Sequence, residues 1–319
     1  MTHTGTKSKY RLFCDTAPAD FPLFMQHWYL DAVGTGGTWE VILVEEGGTI
    51  MGVWPYFIKK KAVWQYVAMP PMGKMMGPYL VPEARTPRAE HRVLQALVAQ
   101  LPAGLAEWEQ DCNYTFKNWL PLYWEGFRQT TRYFYTLDLN VPDTGLWQGI
   151  SNEYRRKIKK AEQLLDIRHD LGPAQLYETG MESFRRQGIP APFDYEYFLG
   201  VYNAVNERGA GRDFFALDRS SGEVCSAGWL IWDQHSAYAL WGGDHPAHRH
   251  TGSGVWLLWE RIRYSRQVLQ VPVFDFVGSM IKNIEQGRRD FGAVQQPYFR
   301  IVKHWSTWFK WGRFLQQKH

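Results

Sequence analysis

Cysteine is scarce in this chain. Only Cys14, Cys112 and Cys225 occur in 319 residues, about a hundred positions apart, which is neither a disulfide framework nor a metal-ligand spacing. Such scattered thiols suit a reducing compartment. No apolar run approaches the roughly 18 residues that a spanning helix needs, and the start, MTHTGTKSKYRLF, has no apolar stretch after its basic residues. A secretory signal and a membrane span are therefore not expected, and the expected location is the cytoplasm. No Gly-x-Ser-x-Gly, Walker sequence or Cys/His pairing is found, which leaves hydrolase and nucleotide triphosphatase chemistry with little support. Charge of one sign is also lacking. The formal net charge is +4, with 13 basic and 14 acidic residues in 1–145 against 23 and 18 in the rest. A mild excess in the second half suits a phosphorylated ligand better than a DNA coat.

Large rings are abundant, with 16 Trp, 17 Tyr and 18 Phe. They could line a cleft, as Trp54, Tyr56 and Tyr66 would, or fill an ordinary core. The length favours two domains. Periodicity reads as a strand at Tyr10–Cys14, a helix at Phe21–Val33, a meander through Trp39–Glu45, Thr49–Ile58 and Val63–Ala68, a helix at Thr86–Leu101, a strand at Leu105–Glu109, a short helix at Trp119–Gly126 and a strand at Thr130–Leu139. After a long polar helix, 143–165, a similar order recurs about 150 residues on, closing with Tyr298–Val302. The expected fold class is α/β with a mixed sheet, in two similar halves, 1–142 and 143–319.

The stretch that carries most chemistry is Arg249-His250-Thr251-Gly252-Ser253-Gly254, between an expected strand and an amphipathic helix holding Val255, Leu258, Trp259 and Ile262. Glycines there let backbone approach a ligand, and a helix N-terminus attracts a pyrophosphate. Arg249 can add a charge-assisted contact. A turn that merely starts a helix is the plainer account of the same residues.

The segment from Ala237 to Gly243, the Arg249-x-x-Gly252-x-Gly254 turn, Phe274-Asp275-Phe276-x-Gly278 and Arg288-x-x-Phe291-Gly292 together resemble the C-terminal half of FemAB/FemX-like proteins of the GNAT acyltransferase superfamily. Residues 152–162, with Arg155-Arg156-Lys157-Ile158-Lys159-Lys160-Ala161, are similar to that family's linker helix. The resemblance covers roughly 140–303. It implies tandem GNAT-like halves, an acyl donor bound by one half at Arg249–Gly254, and transfer of an acyl or aminoacyl group to an amine acceptor. Acyl-CoA is the leading donor, aminoacyl-tRNA acting on a cell-wall precursor the second, and a catalytically silent binding protein the third reading. The first half has Pro70-Pro-Met-Gly-Lys-Met-Met-Gly77 where a donor motif would stand, so it is expected to have no donor site.

Asp275, ending a strand, is the candidate proton acceptor or amine orienter, with capping of the next helix as the alternative. Arg288 is the candidate for an oxyanion or donor phosphate. The span 279–290 holds no Tyr, so the family's usual general acid is missing. The basic run Arg155–Lys160 would serve tRNA or simply face solvent. His245, His248 and His250 lack a neighbouring carboxylate or Cys in sequence, and no metal is expected.

Overall fold

The computed structural model describes residues 3–278 and 280–316. Two compact units emerge from the packing: residues up to Arg132 together with those from Pro297 onward, and Tyr133–Gln296. The division differs from the 142/143 boundary read from the sequence, because the last strand of each half leaves its own half.

The first unit runs α1 (His3–Thr16), α2 (His27–Ala32), β1 (Thr38–Glu46), β2 (Thr49–Lys61), β3 (Trp64–Val67), β4 (Tyr79–Leu80), α3 (Pro87–Val98), β5 (Leu105–Asp111), α4 (Leu120–Trp124) and the start of β6 (Arg128–Asp138). The expected strand at Tyr10–Cys14 is helix instead, since Tyr10 and Cys14, four apart, are both buried on one side of α1. The expected helix at Phe21–Val33 is broken at Gln26, whose backbone is extended. Gly47 and Gly48 adopt φ of 57° and 84°, the geometry that a tight hairpin between β1 and β2 requires.

Strand order in this unit is β1-β2-β3-β5, with β4 also on β2 and β3 parallel to β5. The C-terminal part of β12 (Val294–His304) then joins β5 antiparallel, with Ile301 opposite Gln110. Trp54 and Tyr56, considered above for a cleft, lie in the core. Trp54 is fully buried and stacks edge-on against Trp108 at 4.9 Å. Its indole donates to Gln110 Oε1 at 2.6 Å, and Gln110 in turn donates to the Pro55 carbonyl at 2.8 Å, so no polar atom of the cluster is wasted.

The second unit continues with α5 (Asp143–Gly149), α6 (Asn152–Leu164), β7 (Leu165–Arg168), α7 (Gly172–Gln187), α8 (Tyr195–Glu207), β8 (Gly211–Asp218), β9 (Val224–Trp232), β10 (Ser236–Asp244), α9 (Ser253–Tyr264), β11 (Val273–Asp275) and α10 (Lys282–Asp290). The single helix expected over 143–165 breaks at Ile150, and Ser151 caps α6 by accepting the Tyr154 amide at 3.3 Å. Strands order as β7-β8-β9-β10-β11-β6, antiparallel except for parallel β10 and β11. Each unit thus holds a meander, one parallel neighbour and one antiparallel strand arriving from the other stretch of chain. A last helix, α11 (Thr307–Gln316), was not foreseen.

Candidate functional site

Ligands in open α/β sheets gather beyond the carboxyl ends of parallel strands, and the second unit has one such place. Strands β10 and β11 pair over three residues only, ending at Tyr238 opposite Asp275. Beyond that point β10 bulges between Ala239 and Trp241, with Leu240 as the extra residue, and keeps only β9 as strand neighbour. The two parallel strands therefore part, and α9 starts just past the end of β10. In the first unit the corresponding gap after β3 and β5 is filled by the chain itself. Met72, Met75 and Met76 of the Pro70–Gly77 segment are buried, Met76 bridges Cys112, and the Asn113 amide donates to the Met76 carbonyl at 2.8 Å.

Asp275 sits at the fork. It has no exposed surface; Oδ1 accepts the Val277 amide at 2.7 Å and Oδ2 has no partner among the described residues. Burial pushes its carboxyl up to about 7, against the downward pull of the Val277 amide and Arg288. The turn that follows is strained: Val277, a β-branched residue, has φ of 51°. Asp275 therefore holds this turn rather than capping α10, whose N-cap is Ile281.

Arg288, on α10, is half-buried with its Nε unpartnered among the described residues, and its guanidinium lies 5.1 Å from the Phe276 ring. Burial lowers it to about 10, with Tyr154 and Asp275 pulling it back up. Arg261 of α9 is buried and lowered to about 9 by burial first and Arg288 second, while Asp244 opposes. A run of charges, Asp275, Arg288, Arg261 and Asp244, thus connects the fork to the start of α9.

At that start the sequence motif is in place, but its glycines are crowded by the chain itself. Gly252 is left-handed with φ of 81°, and a β-carbon there would lie 3.1 Å from the Lys157 carbonyl oxygen and 3.2 Å from its Cβ. Asp244 at the end of β10 fills the space beside Gly254, so that a β-carbon would meet its Oδ1 at 2.1 Å. Burial raises the Asp244 carboxyl, while Arg249, Arg186 and Arg261 hold it down. Arg249 itself is exposed. His250 Nδ1 contacts the Ala247 carbonyl at 3.0 Å, and Thr251 donates to the His248 carbonyl at 2.6 Å while accepting the Ser253 amide, so both side chains tie the loop together. Ser253 is buried with its hydroxyl unpartnered among the described residues.

Of the basic run on α6, Arg155 donates to the Trp147 and Gln148 carbonyls, Lys157 pairs with Glu153 and Lys160 donates to the His250 carbonyl. Three of these cations are thereby used inside the fold. Tyr154 on the same helix was missed in the sequence. Its ring packs edge-on against Phe291 at 5.2 Å, and its hydroxyl would be 3.0 Å from a β-carbon on Gly287, beside Arg288. Only a reading of which helix faces α10 could have found it.

The histidine cluster also has company that the sequence did not show. Asp218, Cys225 and His248 bring one ligand atom each within 4.8 Å of one another, and His248 Nε2 lies 3.2 Å from Glu223 Oε2. Strand pairing of β8 with β9 and the loop after β10 supply neighbours that are distant in sequence.

Residues 149–302 match the acetyltransferase (GNAT) domain family. The crystal structure of FemX superposes with a TM-score of 0.71 at 14% identity, covering 92% of this chain and 95% of that one. A tandem GNAT protein from the clavulanic acid biosynthesis pathway, solved without acetyl-CoA, gives 0.52 at 10% identity over 95% and 94% of the two chains. The C-terminal domain of a putative lysylphosphatidylglycerol synthetase from Agrobacterium fabrum gives 0.54 at 13% identity over 93% and 92%. No curated protein matches the sequence. Among the described residues no helix is long and apolar enough to cross a membrane. Residues 149–302 thus match the GNAT acetyltransferase domain model, and the chain has the fold of FemX and of the tandem GNAT protein.

Proposed function

We propose that the protein is an N-acyltransferase in which the second unit activates an amine acceptor at Asp275. The observation that carries this reading is the unpartnered, fully buried Oδ2 of Asp275 at the point where β10 and β11 part, with a carboxyl raised to about 7. A general base poised near neutral pH is what removal of a proton from an attacking amine requires. The amine nitrogen forms a bond to the acyl carbon, the carbon–sulfur bond of the donor breaks, and the amine proton passes to Asp275. Arg288 neutralises charge growing on the carbonyl oxygen, since its Nε has no other partner among the described residues. Tyr154, beside Arg288, is the group that would return a proton to the leaving thiolate.

Acyl-CoA is the donor of this reading, with its pyrophosphate at Arg249–Gly254. Asp244 against Gly254 counts against a pyrophosphate at the start of α9, and aminoacyl-tRNA, a donor that needs none there, is the second reading. Thermal unfolding separates them. Acyl-CoA at a hundred times its dissociation constant should stabilise the protein by about 2.7 kcal/mol, and acyl transfer to an amine panel should be lost in Asp275→Asn. No shift with acyl-CoA, together with salt-sensitive tRNA binding that falls on neutralising Arg156 and Lys159, would favour the second donor. Indifference to both would leave a binding protein.

A further inference from the structure

The last helix of the first unit turns aromatic rings outward. Phe309 anchors α11 on β3, its ring 6.2 Å from Trp64 and 5.0 Å from Tyr66. Trp308 and Trp311, three apart and so neighbours on the outer face, are 81% and 64% exposed. Trp305 just ahead is 42% exposed, the β2–β3 turn adds Val63 at 86%, and the first residue of β3, Trp64, is 36% exposed. A lone exposed ring needs no explanation, whereas several on adjoining segments mark an interaction surface.

The segments that carry these rings hold charge of one sign. Lys59, Lys60 and Lys61 lead into the turn, Lys303 and Lys310 flank the tryptophans, and neither 59–66 nor 303–316 contains an Asp or Glu. The Lys303 amine lies 4.9 Å from the Trp305 ring centre. The acid nearest in pairing, Glu107, is buried and engaged with His304 at 2.8 Å.

We propose that this face seats the protein peripherally on an anionic lipid surface. Tryptophan has an apolar body and a polar N–H, which suits the boundary between acyl chains and headgroups. Lysines rest their stems on apolar surface while their amines reach the anionic headgroups. A second copy of the chain is the poorer occupant, since two such faces would set lysines against lysines with no acid between them. The inference is independent of the donor and of Asp275.

Co-sedimentation with vesicles tests it. Wild-type protein is expected to pellet with phosphatidylcholine vesicles containing about a quarter phosphatidylglycerol, to stay in solution with phosphatidylcholine alone, and to be released by salt. The Trp308→Ser/Trp311→Ser pair and the Lys59→Gln/Lys60→Gln/Lys61→Gln triple are each expected to weaken binding by about tenfold or more. Their circular dichroism should match the wild type, as Trp308, Trp311, Lys60 and Lys61 are exposed and Lys59 is half-buried near the end of β2. Folded wild type that ignores the anionic vesicles would overturn the proposal. So would binding unchanged in both variants, or a dimer in solution that only the tryptophan pair dissolves.

Discussion

The carboxylate of Asp244 lies against Gly254 in the first turn of α9, where a β-carbon would meet its Oδ1 at 2.1 Å. A helix N-terminus attracts anions, and here the chain supplies its own. A donor pyrophosphate at the same turn meets a like charge. With an effective dielectric of about 40 and a separation of about 6 Å, that repulsion is about 1.4 kcal/mol. Asp244→Asn is therefore expected to tighten acyl-CoA binding about tenfold by calorimetry. Unchanged or weaker binding would place the pyrophosphate elsewhere.

Gly252→Val should cost stability before any ligand is added. Its φ of 81° suits glycine, and the Lys157 backbone leaves no room for branching. Strain and overpacking together are expected to remove about 2–3 kcal/mol in urea unfolding of the free protein. A variant that unfolds like wild type and loses only the acyl-CoA response would show that the glycine serves the ligand rather than the packing.

The apolar runs of β1, β2, β8, β9 and β10 and the glycine turn before α9 are legible in the sequence, because apolar runs and turn chemistry are local. What was not legible depends on partners distant in the chain. The exchange of β6 and β12 leaves no local mark, since a strand reads alike whichever neighbour it joins. Tyr10–Cys14 reads as alternation over five residues, yet the i, i+4 pair is equally a helix face. Arg288 is nameable from the sequence as a candidate, but its partial burial beside Phe276 and Tyr154 is not. Asp275 is legible as a carboxylate at a strand end, but its missing partner among the described residues and its shift toward neutral pH come from packing that no motif encodes.

Zinc analysis distinguishes two uses of the cluster at His248. Burial pushes the Cys225 thiol up to about 11, and the His248 imidazole already faces Glu223 at 3.2 Å. A protonated thiol is a poor ligand. Purified protein is expected to carry well under one equivalent of zinc, and Cys225→Ala to melt within a few degrees of wild type. A full equivalent of zinc that disappears in His248→Ala would assign Asp218, Cys225 and His248 to a metal instead.

Asp275 should make stability and activity move in opposite directions with pH. Its carboxyl stands near 7 in the folded chain against an ordinary value of 3.8, with burial the principal cause. Between those values the folded state holds a proton that the unfolded state has released, so stability falls as pH rises. The contribution is fully present below about 4 and lost as pH passes through about 7, a span corresponding to about 4 kcal/mol. Asp275→Asn keeps an oxygen for the Val277 amide and does not ionise. The variant is expected to match wild type near pH 4 in denaturant unfolding and to exceed it at pH 8. Acyl transfer by wild type should instead rise with pH through about 7 as the base ionises. In the variant that limb should disappear and the rate should fall by about a hundredfold or more. An Asn variant that keeps the pH-dependent limb would remove Asp275 from the chemistry, and one whose stability tracks wild type at every pH would mean that the carboxyl titrates at its ordinary value.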